Sequence, residues 1–143
     1  MPATGHSRFL LLLLFASAVS QGAADSPALA LARLASALSR NDAPAALAVF
    51  DRQMKSYGEI EQSVQALTAQ SDVNCALEVI EEHEAGPDRV LDTDWYMQLQ
   101  SRSPGGETER RRERVSITFR LISDKWHIVA VSPLKVFAPI NIQ

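Results

Sequence analysis

A few side chains in this sequence have the types and spacing that proton transfer or ligand binding would require. Asp92 and Asp94 stand two residues apart beside Tyr96, so in an extended strand their carboxylates share one face. Such a pair could do acid/base work or hold a cation. No histidine or third carboxylate is fixed beside them by spacing, and the plainer reading is the wet face of a half-exposed strand. His127, next to Trp126, could be a general base because an imidazole titrates near neutral pH. A lone histidine in a mostly apolar strand is more often a hydrogen-bonded core or edge residue. An enzyme made from these parts, whether lyase, isomerase or hydrolase, needs Asp94, His127 and Tyr57 to converge at the mouth of one cavity. Side chains on different faces would exclude it.

The remaining candidates are weaker. Glu78, Glu81, Glu82, His83 and Glu84 have the composition of a cation site, but strand alternation divides them between two faces, so no metal is expected. Arg110, Arg111, Arg112 and Arg114 alternate with Glu107, Glu109 and Glu113, a pattern of cross-strand ion pairs on a solvated arm. Pro104-Gly105-Gly106 is not followed by a helical pattern and is not a phosphate loop. There is no HExxH or CxxC motif, and no cofactor is expected. Cys75 is the only cysteine, which excludes an internal disulfide. It alternates with Val73, Leu77 and Val79 and has no basic neighbour, as expected of a buried, inert thiol. A net charge of −3 and only two tryptophans give no reason to expect a nucleic-acid partner.

The elements that must position these residues follow from hydrophobic periodicity. Arg114–Pro133 alternates Val115, Ile117, Phe119 and Leu121, then restarts after Ser123-Asp124-Lys125 with Trp126, Ile128 and Ala130. This predicts a β-hairpin with one buried face. Val129 and Val131 are apolar too, so the second arm is expected inside the sheet, with partners on both edges and cover on both faces. Upstream, Val73–Glu82 and Val90–Gln100 read as two more strands joined at Ala85-Gly-Pro-Asp88. Leu91, Thr93, Trp95, Met97 and Leu99 fall on one face of the second.

Three helices precede these strands. Ser26-Pro27 opens the first, with the serine placed to cap and the proline where its missing N–H costs nothing; Leu31, Leu34 and Leu38 form its stripe. Asp42 caps a second helix striped by Leu47, Phe50 and Met54. The third begins at Ser56-Tyr-Gly-Glu59, a capping-box arrangement, and is striped by Tyr57, Ile60, Val64 and Leu67. The expected fold class is α+β, with three N-terminal helices packed on one face of a curved four-stranded antiparallel sheet.

The first 24 residues read as a secretory signal peptide. Arg8 precedes an apolar run from Phe9 to Val19, and small residues end at Ala24. That run is shorter than the roughly 18 to 20 residues a membrane-spanning helix needs, so no stable transmembrane anchor is expected. The predicted product, 25–143, is one exported domain, periplasmic or secreted. The apolar tail Leu134–Pro139 is expected to dock on the domain or on a second copy.

Three pieces of the sequence resemble the nuclear transport factor 2-like superfamily, the cystatin-like cone shared by ketosteroid isomerases and polyketide-cyclase-like enzymes. These are Leu34–Asp42 leading through Ala43–Phe50, Thr93–Met97, and Phe119–Val129. The resemblance implies the cone, with dimerisation through the sheet face common among such proteins. It also marks departures from the isomerases. Leu34 stands where they carry a tyrosine, Ile117 where they carry a buried aspartic acid, and Phe50–Tyr57 passes almost directly into the third helix where they carry a strand and loop with the catalytic carboxylate.

The residues expected to face the cavity are Leu34, Phe50, Tyr57, Trp95, Met97, Ile117, Phe119 and Ile128. Of these only Tyr57 can move a proton, and a phenol is ordinarily a weak acid far from neutrality. The expectation is a non-catalytic exported domain that binds an apolar small molecule or lipid in the cone, or that acts as an interaction module, as in a homodimer through the sheet face and the Leu134–Pro139 tail.

Overall fold

A computed structural model describes residues 25–140; the expected signal peptide lies outside the described residues. Helix α1 spans Pro27–Ser39, and Ser26 accepts from the Leu29 N–H at 3.1 Å as its N-cap. The cap of α2, Ala43–Leu47, is Asp42, which takes the Ala45 N–H at 3.1 Å. Each cap satisfies one of the donors left over at a helix start. Helix α3 spans Tyr57–Gln70, but Ser56 makes no side-chain cap bond, so the expected capping box does not form.

The stripe Leu47, Phe50, Met54 is buried as expected, although α2 ends at Leu47. Beyond it the chain turns out of the helix to bond β4: Ile128 N donates to Val49 O at 2.9 Å and Asp51 N to Ile128 O at 2.8 Å. Two long-range backbone bonds replace the helical ones, and helical spacing alone could not foresee them.

Four strands follow: β1 Ser71–Ala85, β2 Asp88–Ser101, β3 Thr108–Ile122 and β4 Lys125–Ser132, antiparallel in the order β1-β2-β3-β4. The first turn fits its residues: Gly86 takes φ +63°, the conformation wanted at the first position of a two-residue hairpin turn, and Pro87 fits the second. At the other hairpin Ser123 and Asp124 both have positive φ.

Strand β4 corrects the sequence reading. It is an edge strand, paired with β3 on one side; on the other, among the described residues, it meets the short parallel bridge from Phe50 and the Asp25 carboxylate, and no further strand. The unbroken apolar run Ile128–Val131 has another cause. The register passes from Thr118↔Ala130 to Phe119↔Ile128, so Val129 is an extra, bulged residue. A bulge shifts the alternation by one, placing Ile128 and Val131 on the same side, against Phe119 and Ile117.

Asn41 and Ser39 fasten α1 to the free edge of β1. The Val73 N–H donates to Asn41 Oδ1 at 3.1 Å and the Cys75 N–H to Ser39 Oγ at 2.9 Å. The core lies between the helices and one face of the sheet, where Leu31, Leu34, Leu38, Ile60, Leu67, Leu91, Trp95, Met97, Ile117 and Phe119 are fully buried. The tail also differs from one expectation. Val136 and Phe137, in a 3-10 turn at Leu134–Phe137, are buried in the chain's own core, so these side chains are not available to a second copy.

Candidate functional site

The sheet register decides what can meet what. Asp94 pairs with Arg114 and His127 with Arg120, six residues apart along β3, or about 20 Å at a strand's rise per residue. Tyr57 lies on the helical side, half-buried, in a shallow cleft of about 260 Å3 with Ala43, Pro44, Leu47, Arg52 and Glu61. Asp94, His127 and Tyr57 therefore belong to three separate places.

Asp94 belongs to the outer face of the sheet, where acidic side chains of β2 face basic ones of β3. Arg112 donates to Asp94 Oδ2 at 2.7 Å, and Arg120 holds Asp88 through two bonds of 2.8 and 3.0 Å. Hydrogen bonding from Arg112 keeps the Asp94 carboxyl below its ordinary pKa, and Arg120 does the same for Asp88. A carboxylate held in its charged form by a guanidinium is a poor proton acceptor near neutrality. No group of three or more His, Cys, Asp or Glu side chains suited to a metal ion occurs among the described residues.

The eight residues expected to line a pocket are, except for Tyr57, buried together. Leu34, Trp95, Met97, Ile117, Phe119 and Ile128 are fully buried and Phe50 nearly so. They form one packed cluster with Phe137, whose ring meets Trp95 edge-on at 5.4 Å and Phe50 at 5.8 Å. Cys75 is 8% exposed, and burial pushes its thiol up to about 12, which leaves almost no thiolate at neutral pH.

An open groove of about 800 Å3 lies elsewhere, where α1, the end of α2 and the β3–β4 turn come together. Ala32, Ser36, Ala45, Ala48 and Val49 form its helical wall; Trp126 and His127 form the opposite wall, with Arg33, Arg40 and Lys125 as cations and Asp25 and Asp124 as anions. Helical periodicity explains the first wall, since Ala32, Ser36 and Arg40 recur every four residues on the α1 face opposite its leucines. The β4 edge supplies the second.

Asp25 ties the two walls together. Its carboxylate accepts the Trp126 backbone N–H at 2.8 Å and an Arg33 N–H at 3.1 Å, with only 13% of its side chain exposed. Partial burial raises its pKa, but these hydrogen bonds more than offset that, so it lies below the ordinary value. His127 Nδ1 is buried and has no hydrogen-bond partner among the described residues. Apolar walls with a few polar groups around them are the usual makeup of a small-molecule site. Of the twelve residues in this lining, sequence reasoning had singled out only His127. A tryptophan and histidine opening an edge strand were the available signal, but Asp25, Arg33, Arg40 and Ala48 are joined to them only by tertiary contacts.

No protein-family model matches the sequence, and no curated protein matches it. Solved structures share its architecture. A nuclear transport factor 2-like superfamily protein from Salmonella enterica serovar Typhimurium aligns at 16% identity over 80% of this chain and 89% of its own, with a TM-score of 0.59. An NTF-2 like protein of unknown function from Shewanella oneidensis aligns at 11% identity over 73% and 92%, with a TM-score of 0.57. A third, from Streptomyces avermitilis and proposed to be a dehydratase of the same family, aligns at 14% identity over 73% and 89%, with a TM-score of 0.55. At these identities the likeness concerns architecture and carries no activity across. The chain has the nuclear transport factor 2-like fold.

Proposed function

We propose that this chain is a non-catalytic binding module, exported and freed of its leader near Ala24, which takes an apolar small molecule or lipid in the groove between α1, α2 and the β3–β4 turn. One observation carries this reading: an open groove with Trp126 in one wall and alanines in the other, beside a buried His127 nitrogen that has no hydrogen-bond partner among the described residues. The separation of Asp94, His127 and Tyr57 supports a role without proton transfer. Export is supported by the leader pattern. No helix among the described residues is long and apolar enough to cross a membrane.

Anilinonaphthalene sulfonate, an aromatic anion, suits this mixture of apolar wall and cationic rim. Its fluorescence is expected to rise on titration with the folded domain. Ala48 is exposed in the groove, so Ala48→Trp fills the space without entering the core, and it should weaken binding about tenfold or more. Unchanged binding in this variant, with an unchanged unfolding midpoint, would refute the site.

A second reading is homodimerisation through the outer sheet face. It is favoured by Tyr96, which is 41% exposed and stands in a row with Ala76 and Arg112. Sedimentation should then give a dimer that Tyr96→Asp converts to monomer, whereas a wild-type monomer at micromolar concentration removes this reading.

A further inference from the structure

The outer edge of β1 is covered along only part of its length. In a paired strand, alternate residues direct their N–H and C=O groups to the neighbouring strand, and the residues between them direct theirs away from it. Val73 and Cys75 belong to the second set. Their N–H groups are taken by side chains at the end of α1 and just beyond it, Asn41 at 3.1 Å and Ser39 at 2.9 Å. Ser39 Oγ also donates to the Cys75 carbonyl at 3.3 Å. These two side chains stand in for a further strand.

The cover stops after Cys75. The register with β2 runs without a shift from Ser71 to Val79, so Leu77 and Val79 turn their N–H and C=O groups to the same edge. One turn back along α1 from Ser39 stands Ala35, whose side chain can neither donate nor accept. Among the described residues, no hydrogen bond from outside the β1–β2 ladder reaches the backbone of Leu77 or Val79. Past Val79 the pairing jumps from Val79↔Thr93 to Glu81↔Asp92, leaving Ile80 as a bulged residue, and a bulge interrupts regular pairing. The open edge is therefore short, running from Leu77 to Val79.

Its surroundings define the strand that would fit. Val79 and Ile80 are 37% and 46% exposed, while Leu77 and Ala35 sit half-covered at the rim of the core. Glu78 is exposed on the outer face between the two open positions, and β1 carries five acidic side chains with no lysine or arginine. A second copy of β1 would set carboxylates against carboxylates, which is unfavourable across a strand pair.

We infer that Leu77–Val79 is a strand-addition site for an extended cationic segment of another protein, antiparallel to β1. A lysine or arginine lies opposite Glu78, and apolar residues on either side of it lie opposite Leu77 and Val79. Backbone bonds at Leu77 and Val79 hold the segment, and Glu78 selects it by charge. The site shares no residue with the groove.

The probe is a blocked hexapeptide alternating valine and lysine, titrated into the mature protein and followed by heteronuclear NMR and amide exchange. Without peptide, the Val73 and Cys75 amides should be protected and those of Leu77 and Val79 open. With peptide bound, the latter two should slow by about tenfold or more. Val79→Pro removes an edge N–H without removing a bond of the β1–β2 ladder, and it should weaken the peptide about tenfold. Glu78→Lys, a change at an exposed side chain that leaves the backbone edge intact, should weaken it about fivefold. The peptide N-methylated at its valines keeps every charge but cannot bond the edge, so it should not bind. Equal affinity for this methylated peptide would overturn the inference, since charge alone would then account for binding. So would shifts confined to the outer sheet face around Asp94 and Arg112, or no saturable binding of the parent peptide. Protection of Leu77 and Val79 that rises with protein concentration in the absence of peptide would assign the edge to a second copy instead.

Discussion

Trp95→Ala is expected to lower the free energy of unfolding by about 3–5 kcal/mol, the usual cost of truncating a buried aromatic to alanine. Trp95 is fully buried on the inner strand β2 and meets Phe137 edge-on, so its loss opens a cavity beside the Leu134–Phe137 turn and removes an aromatic pair together. Against a domain stability of about 5–15 kcal/mol, that is roughly a fifth or more of the total. Trp95→Phe should behave quite differently. It keeps an aromatic ring and removes an indole N–H that has no partner among the described residues, whose burial costs about 1–3 kcal/mol. Loss of volume and relief of that donor oppose one another, so a net change within about 1.5 kcal/mol is expected. Urea unfolding of both variants measures this. A cost below about 1 kcal/mol for Trp95→Ala would remove Trp95 from the centre of the core.

The second large effect concerns binding. Trp126→Ala is expected to weaken anilinonaphthalene sulfonate about tenfold. A ligand ring resting on the indole buries about 60 Å2 of it, worth about 1.5 kcal/mol at about 25 cal/mol per Å2, or roughly a factor of ten in affinity. The fold should survive, because Asp25 is bonded to the backbone N–H of Trp126 and not to its ring. Equal affinity in the variant would mean that the ligand does not touch this wall.

How much of this was legible in the sequence depended on whether the determinants were local. Period-two alternation gives the buried face of β2 at Thr93, Trp95, Met97 and Leu99 and that of β3 at Val115, Ile117 and Phe119, which line the core; Leu121, expected on the same face, is 50% exposed. The Ser26 and Asp42 caps act over three residues and were legible for the same reason. Errors arose where a distant partner took over. The stripe Leu47, Phe50, Met54 is buried, yet Val49 and Asp51 bond Ile128 instead of continuing a helix. Val129 and Val131 looked like two-sided burial because a bulge is invisible in a string of apolar residues. Apolarity showed that the tail must be covered; that Trp95 and Phe50 cover Phe137 is a tertiary fact.

The candidate site was the least legible part. His127 and Asp94 have chemistry and charge that a sequence displays, but the register sets them opposite residues of β3 that are six apart. The groove draws on Asp25, the alanine face of α1, the end of α2 and the β4 edge. Only the folded chain brings these together, and small residues such as Ala32 and Ala48 have no chemical signature of their own. Outward-facing alanines matter here for the space they leave.

The groove reading is tested most directly by a heteronuclear NMR titration of the mature domain with anilinonaphthalene sulfonate, because the chain has two tryptophans and each indole N–H gives its own signal. The Trp126 indole and the amides of Ala45, Ala48 and Val49 are expected to shift together along one saturable curve while the Trp95 indole stays in place. Shifts confined to the outer sheet face around Tyr96, or no saturable shift at Trp126, would contradict it.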